Sequence, residues 1–252
     1  MSESLTWHPG AFWLVCVRLG TVVMLMPLEG LRQLPRRVRL MLTLLLANLL
    51  TAFGELQIYV SKRPGLIIAT VYECLNGLVL SLAVMLAFAA LSIAGKWMDV
   101  QTGFDTGALF NPAQSSHDPL LTRLLGLFAT SLFFSMDAHL TLIKGLAASF
   151  TYLPPGTLVL THGLDSIATE FSLMAGMALM LAAPVVCGIL LFEGWSALLS
   201  RSMPHSGLWF LTLPLKILAG LALLAASLDA LAPVIMHLFT HALSRWEVLF
   251  HG

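Results

Sequence analysis

Charge is the scarcest feature of this chain. Lys, Arg, Asp and Glu make up 10% of its 252 residues, against about 25% in soluble domains. So large a deficit excludes a soluble fold and points to an integral membrane protein. Neither sign is in excess, since 13 basic and 13 acidic residues give a net charge of zero. That leaves no electrostatic case for nucleic acid or for an acidic substrate. Cysteine is scarce as well. Cys16, Cys74 and Cys187 each stand alone in an apolar segment. They read as small core hydrophobes, because a disulfide framework or a metal centre needs clustering. The chain has no HExxH, no GxSxG, no GxGD-type aspartate pair and no glycine-rich phosphate loop. No catalytic, cofactor-binding or metal residue is therefore assigned. There is no repeat of fixed period. Ser2–His8 carries Glu3 but no Lys or Arg, unlike a cleavable leader, so the first apolar segment is expected to remain in the protein.

What the chain has is hydrophobic length: 58% of its residues are apolar. Six segments stand out, at roughly 11–28, 38–60, 65–95, 120–148, 164–192 and 207–236, where a span needs about 20 apolar residues. The expected fold is all-α, with about six hydrophobic helices in hairpins forming one helical membrane unit over 1–252. The lengths are uneven. Ile67–Ile93 alone would run about 40 Å as a helix, beyond the ~30 Å hydrocarbon core. It must therefore tilt, kink or project. The tail, 237–252, reads as an amphipathic segment for the interface.

The longest polar interruption is Lys96–Pro119, with Asp99, Gln101, Asp105, Asn111, Gln114 and Asp118, and Gly103 and Gly107 for bends. Such a loop between apolar helices is solvated at a membrane surface or folded into a watery cavity. Its apolar residues Phe104, Leu109 and Phe110 are of a size to fill a narrow lumen.

Other interruptions are shorter. Pro35 suits the first turn of a helix, placing Arg36, Arg37 and Arg39 at its N-terminus. There each positive charge opposes the helix dipole by about 0.3–1 kcal/mol. Lipid phosphate, Glu29 or carboxylates of a partner would offset this. Leu153-Pro154-Pro155-Gly156 predicts an extended turn. Pro214 should kink the last segment or mark its start. Loop charges favour one face only modestly (Arg32, Arg36, Arg37, Arg39, Lys96 and Arg201 against Lys62, Arg63 and Lys144), so they do not fix orientation.

Three segments carry polar or small residues at helical spacing: Glu73, Gly77 and Ser81 with Asn76 beside them; Ser131, Ser135 and His139; and Asp165, Thr169, Ser172 and Gly176. Such faces let helices approach closely and hydrogen-bond within a membrane. Arg36, Arg37, Arg39, Glu73, Gly77, Ser81, His139 and Asp165 are thus expected at contacts with other subunits or lipid. Ionisable residues within spans are functional candidates by default: Arg18, Glu73, Asp137, His139, Asp165, Glu170 and Glu193. As a catalytic pair, Asp137 and His139 fail on geometry, because residues two apart on a helix face different ways. A secondary transporter needs broken helices and commonly paired halves; the breaks exist but no symmetry is evident. The twelve methionines read mainly as core filler.

The motifs also have a recognisable order. Arg18-Leu19-Gly20, Met26-Pro27 and Leu34-Pro35-Arg36-Arg37-Val38-Arg39 come first. Glu73 and Gly77 follow, then Gly95, Asp99, Gln101, Gly103-Phe104 and Asn111-Pro112. His139-Leu140, Ser149-Phe150 and Leu153-Pro154-Pro155-Gly156 come next, with Ala183-Pro184 and Pro214-Leu215-Lys216 last. This series resembles the FliR/SctT family of type III secretion export-apparatus proteins over nearly the whole chain. The His-Leu and SFxxLPxG details resemble its flagellar branch more than its injectisome branch. Two departures stand out. Asn111-Pro112 takes the place of the family's usual Asp-Pro, and Ser200-Arg201-Ser202-Met203-Pro204 that of its Asn-Arg-x-x-Pro.

The resemblance implies no enzyme. It implies a structural and gating subunit that assembles with FliP-like and FliQ-like proteins into a helical export gate in the bacterial inner membrane. FlhB-like and FlhA-like components would adjoin it, and unfolded export substrates would pass through. It also implies helices arranged in a spiral and partly lifted from the bilayer. The loop residues Gly103, Phe104, Asp105, Gly107, Leu109, Phe110, Asn111 and Pro112 would then form a pore plug.

Overall fold

The computed structural model describes residues 9–27, 34–53, 65–104, 119–158, 164–202 and 208–251. Every regular element among them is a helix: α1 (Pro9–Leu25), α2 (Arg36–Phe53), α3 (Leu66–Thr102), α4 (Leu120–Ser135), α5 (Ala138–Tyr152), α6 (Leu164–Ser202) and α7 (Leu208–His251). The all-α class follows from long apolar runs whose backbone groups can be satisfied within each segment.

The boundaries differ from the sequence reading in several places. The fourth hydrophobic segment is two helices, because Asp137 adopts a left-handed conformation at φ 54. Aspartate is among the few non-glycine residues that tolerate this region. The break separates Ser135 from His139, so they do not form one helical stripe with Ser131. The third segment continues through Lys96, Asp99 and Gln101 to Thr102, so the first part of the expected polar loop is helical. Pro214 does not mark the start of the last segment, which begins at Leu208. The tail, finally, is no separate element, since α7 runs through Pro214 and Pro233 to His251.

Pro35 behaves as its residue type predicts. The amides of Val38 and Arg39 donate to its carbonyl at the head of α2. The turn after α5 also forms as expected, with Leu153 extended (φ −123, ψ 85) and Gly156 at φ +93. Glu29, Arg32, Lys62, Arg63 and 105–118 lie outside the described residues.

Among the described residues, three helical stretches are long and apolar enough to cross a membrane: Leu66–Thr102, Thr169–Ser202 and Leu211–Ser244. The α4–α5 pair makes a fourth if taken as one broken span. At 37 residues, α3 is about 55 Å long, well beyond the ~30 Å apolar layer.

Contacts gather the chain into two compact units, each discontinuous in sequence. Unit one comprises 1–86, 137–169 and 239–252. In it α1 packs against α2, with Thr43 and Ala47 the buried residues on the α2 side. Leu14, Val15, Leu19 and Val22 of α1 are buried. Gly77 on α3 lets α1 approach closely: a Cβ there would lie 2.8 Å from both the Arg18 carbonyl oxygen and Thr21 Cβ.

Unit two comprises 87–136 and 170–238. Its core includes Leu91, Met98, Leu125 and Phe133, with Leu181, Ile189 and Leu231. The Phe88 and Phe133 rings meet at 6.1 Å. Here too α3 is held close to a neighbour, since a Cβ on Gly95 would lie 2.5 Å from Thr122 Cα. Glu193 of α6 and Lys216 of α7 form an ion pair. Beside it lies a groove of about 680 Å³, lined mainly by apolar residues such as Phe192, Trp195, Leu211 and Leu215.

Candidate functional site

Among the described residues, each unit holds a buried charged centre. In unit one the centre is Arg18, which has no exposed surface. It sits among apolar residues of α1, where a lone guanidinium would be costly. Its five N–H groups all find acceptors within the chain. Nε donates to Glu73 Oε2 at 2.6 Å and Nη2 to Glu73 Oε1 at 3.1 Å. Nη1 donates to the Ser149 carbonyl at 3.0 Å and its hydroxyl at 3.3 Å. Nη2 also donates to the Leu153 carbonyl at 3.0 Å. The Phe150 ring lies 4.4 Å from the guanidinium carbon, adding a cation–π contact.

Glu73 is equally buried. Its Oε1 also accepts the Gly156 N–H at 2.7 Å. One turn along α3, Asn76 Nδ2 donates to the Thr157 carbonyl at 2.7 Å. The pair is therefore saturated by the chain itself. The planar fork of Arg suits this multi-acceptor role, which the point charge of Lys would not fill.

In unit two the centre is Asp99. α4 begins after Pro119, whose side chain offers no acceptor to the first amides of the helix. Asp99 of α3 supplies one. Its Oδ1 accepts the Leu121 N–H at 2.9 Å, and Oδ2 accepts the Thr122 N–H at 2.8 Å and hydroxyl at 2.6 Å. This meets two of the four amides that a helix start leaves unpaired and sets a negative charge at the positive end of the dipole. The Asp99 carbonyl also accepts the Gly103 and Phe104 amides at 3.0 and 3.1 Å. One residue thus ties down both ends of the central segment.

The residues singled out from the sequence fall as follows. Gly103 is buried at φ +86, and Phe104 is half-buried. Asp105, Gly107, Leu109, Phe110, Asn111 and Pro112 lie outside the described residues. Arg36 and Arg37 are exposed in the first turn of α2, and Arg39 is half-buried. Glu73, Gly77 and Ser81 were expected to face another subunit or lipid. They are buried within unit one, because α1 of this same chain takes that side of α3. His139 is half-buried on α5. Asp165 opens α6, its side chain outside the described residues. Asp137 stands exposed at the break before α5. The described residues contain no group of three or more His, Cys, Asp or Glu that could hold a metal ion.

The sequence reading missed that Arg18 and Glu73 belong to each other and that Asp99 caps α4. A signal existed for the first, since each is a solitary charge in an apolar run and neither is tolerable alone.

The motifs that carried the resemblance converge on these centres. Arg18, Glu73, Gly77, Ser149-Phe150 and Leu153–Gly156 meet in unit one; Gly95, Asp99 and Gly103-Phe104 meet in unit two. Residues 10–242 match the family described as bacterial export proteins, family 1. The chain belongs to that family. Several family relatives carry the name flagellar biosynthetic protein FliR. That of Caulobacter vibrioides is 30% identical over 228 residues, covering 88% of this chain and 89% of the relative. That of Escherichia coli is 28% identical over 246 residues, covering 94% and 90%. The Yop proteins translocation protein T of Yersinia pestis is 31% identical over 147 residues, covering 57% and 56%. This family 1 export protein is thus an all-helical, multi-pass membrane protein.

Proposed function

We propose that the chain is a structural and gating subunit of the bacterial flagellar type III protein export gate. It assembles with FliP-like and FliQ-like subunits in the inner membrane, at the flagellar basal body. FlhB-like and FlhA-like components adjoin the complex, and unfolded substrates pass through it. The observation that carries this reading is the family match over residues 10–242, with FliR relatives aligned along nearly all of their length. The injectisome alternative rests on a match to just over half the chain, so the flagellar branch is favoured.

The surface is compatible with a subunit role. The apolar windows of Thr169–Ser202 and Leu211–Ser244 are only 28% and 17% buried. Lipid and neighbouring subunits would cover the remainder. In this reading the subunit works by shape rather than by chemistry.

The central segment, Gly103 through Pro112, is the plug of the closed channel in this reading. Asp99 anchors its stem, while Phe104, Leu109 and Phe110 supply bulk for the lumen. Arg36, Arg37 and Arg39 meet lipid phosphates or acidic groups of a partner. Deleting the gene in its own bacterium tests the function. Cells should stay viable and lose their filaments, and a plasmid copy should restore them. Normal filaments in the deletion strain would contradict the proposal.

A further inference from the structure

Arg18, Glu73 and Asn76 come from α1 and α3, yet four of their hydrogen bonds end on the backbone of one short stretch. The groups reached are the carbonyls of Ser149, Leu153 and Thr157 and the amide of Gly156. That stretch is the last turn of α5 and the link after it. It is hard to satisfy locally. A helix end leaves carbonyls without partners, Pro154 and Pro155 have no N–H to offer, and Gly156 is at φ +93.

Water is a poor substitute at this level. Leu66, Ile67, Ile68 and Val71 lie between Glu73 and the start of α3, and all are exposed, Ile67 by 81%. Irregular backbone beside so apolar a surface needs protein partners. Neutralising charge would be a weak reason for the arrangement, because apolar replacements of buried ion pairs are often as stable. Reaching several separate acceptors in one plane is a reason particular to arginine.

We propose that Arg18 is a positioning residue for the Leu153–Thr157 turn, with Glu73 and Asn76 completing the frame. Export then depends on the shape of that turn, which presents Tyr152, Pro154 and Thr157 at the surface, and not merely on the absence of net charge at this place. The inference rests on the export reading given above.

The test uses full-length variants in the deletion strain, with membrane-integrated protein and filament growth measured side by side. Wild type must first restore filaments; if it does not, the export reading itself has failed, which is a separate result. Arg18→Lys keeps the charge but loses the fork. It should lower export about tenfold or more with little loss of protein, since charge-assisted bonds are the strong ones. Asn76→Leu leaves no buried charge behind and removes the bond to the Thr157 carbonyl. It should lower export by a few-fold at unchanged protein level. The exchange Arg18→Glu with Glu73→Arg should not regain export, because a carboxylate cannot donate to the Ser149 and Leu153 carbonyls. Wild-type export by the exchanged pair overturns the proposal. So does normal export by both other variants, or export that falls only in proportion to protein lost from the membrane.

Discussion

The Asp99 carboxylate accepts both the backbone N–H and the hydroxyl of Thr122, at 2.8 and 2.6 Å. A residue near the end of one helix thus caps the start of the next, across the central segment. Asp99→Ala removes this cap and strands buried donors. It should destabilise the protein by about 1–2 kcal/mol, as loss of a cap does elsewhere. Asp99→Asn keeps acceptor capacity and should cost less. Thermal unfolding of the detergent-solubilised protein checks the order.

Close helix approach gives a second prediction. Gly95→Ala sets a Cβ 2.5 Å from the Thr122 backbone, and the helices must part, at a cost of about 1–3 kcal/mol. Gly176→Ala on α6 meets nothing within 4 Å. It should be neutral or slightly stabilising, because alanine favours the helix over glycine by up to ~1 kcal/mol. Comparing the two melting curves separates packing from propensity.

Glu73→Ala leaves the Arg18 guanidinium buried and half-unpaired. Breaking such a pair costs about 3–5 kcal/mol, so little protein should reach the membrane. Adding Arg18→Met should bring back much of the accumulation. Quantitative immunoblots of membrane fractions read both.

Arg36, Arg37 and Arg39 crowd the N-terminus of α2, with no acidic residue in that first turn. Changing all three to Gln relieves the clash with the dipole within the chain. In our reading it also removes an attachment to an anionic surface. The yield of assembled complex should fall, measured by native electrophoresis. An unchanged yield would remove the case for that attachment.

Deleting Thr106–Asn111 tests the plug. In assembled gates it should raise ion conductance across the membrane, and an unchanged leak would count against a plug.

The sequence made the class of fold legible, because long apolar runs and scarce charge leave helices as the economical way to satisfy backbone groups in a membrane. The Pro35 start and the Leu153–Gly156 turn were legible for a local reason: proline and glycine restrict or free φ within the residue itself. Asp137 was not read as a helix break, because aspartate adopts a left-handed backbone only occasionally and no pattern marks when. Asp99 looked like a loop residue because polar character implies solvent; its partners are 22 and 23 residues on, beyond any periodicity. The stripe of Glu73, Gly77 and Ser81 correctly called for a close helical neighbour. Periodicity shows which face wants a partner, but it does not say whose helix provides it, and here α1 does. Arg18 and Glu73 stand 55 residues apart, and only the cost of leaving each alone hinted at the match.

Purification settles the central claim most directly. The chain should be expressed with and without the FliP-like and FliQ-like proteins of the same bacterium, then passed over a sizing column in mild detergent. The account predicts one complex containing all three, and poor recovery of the chain alone. A chain that is well behaved by itself, ignores both proteins and carries a small solute into liposomes would contradict it.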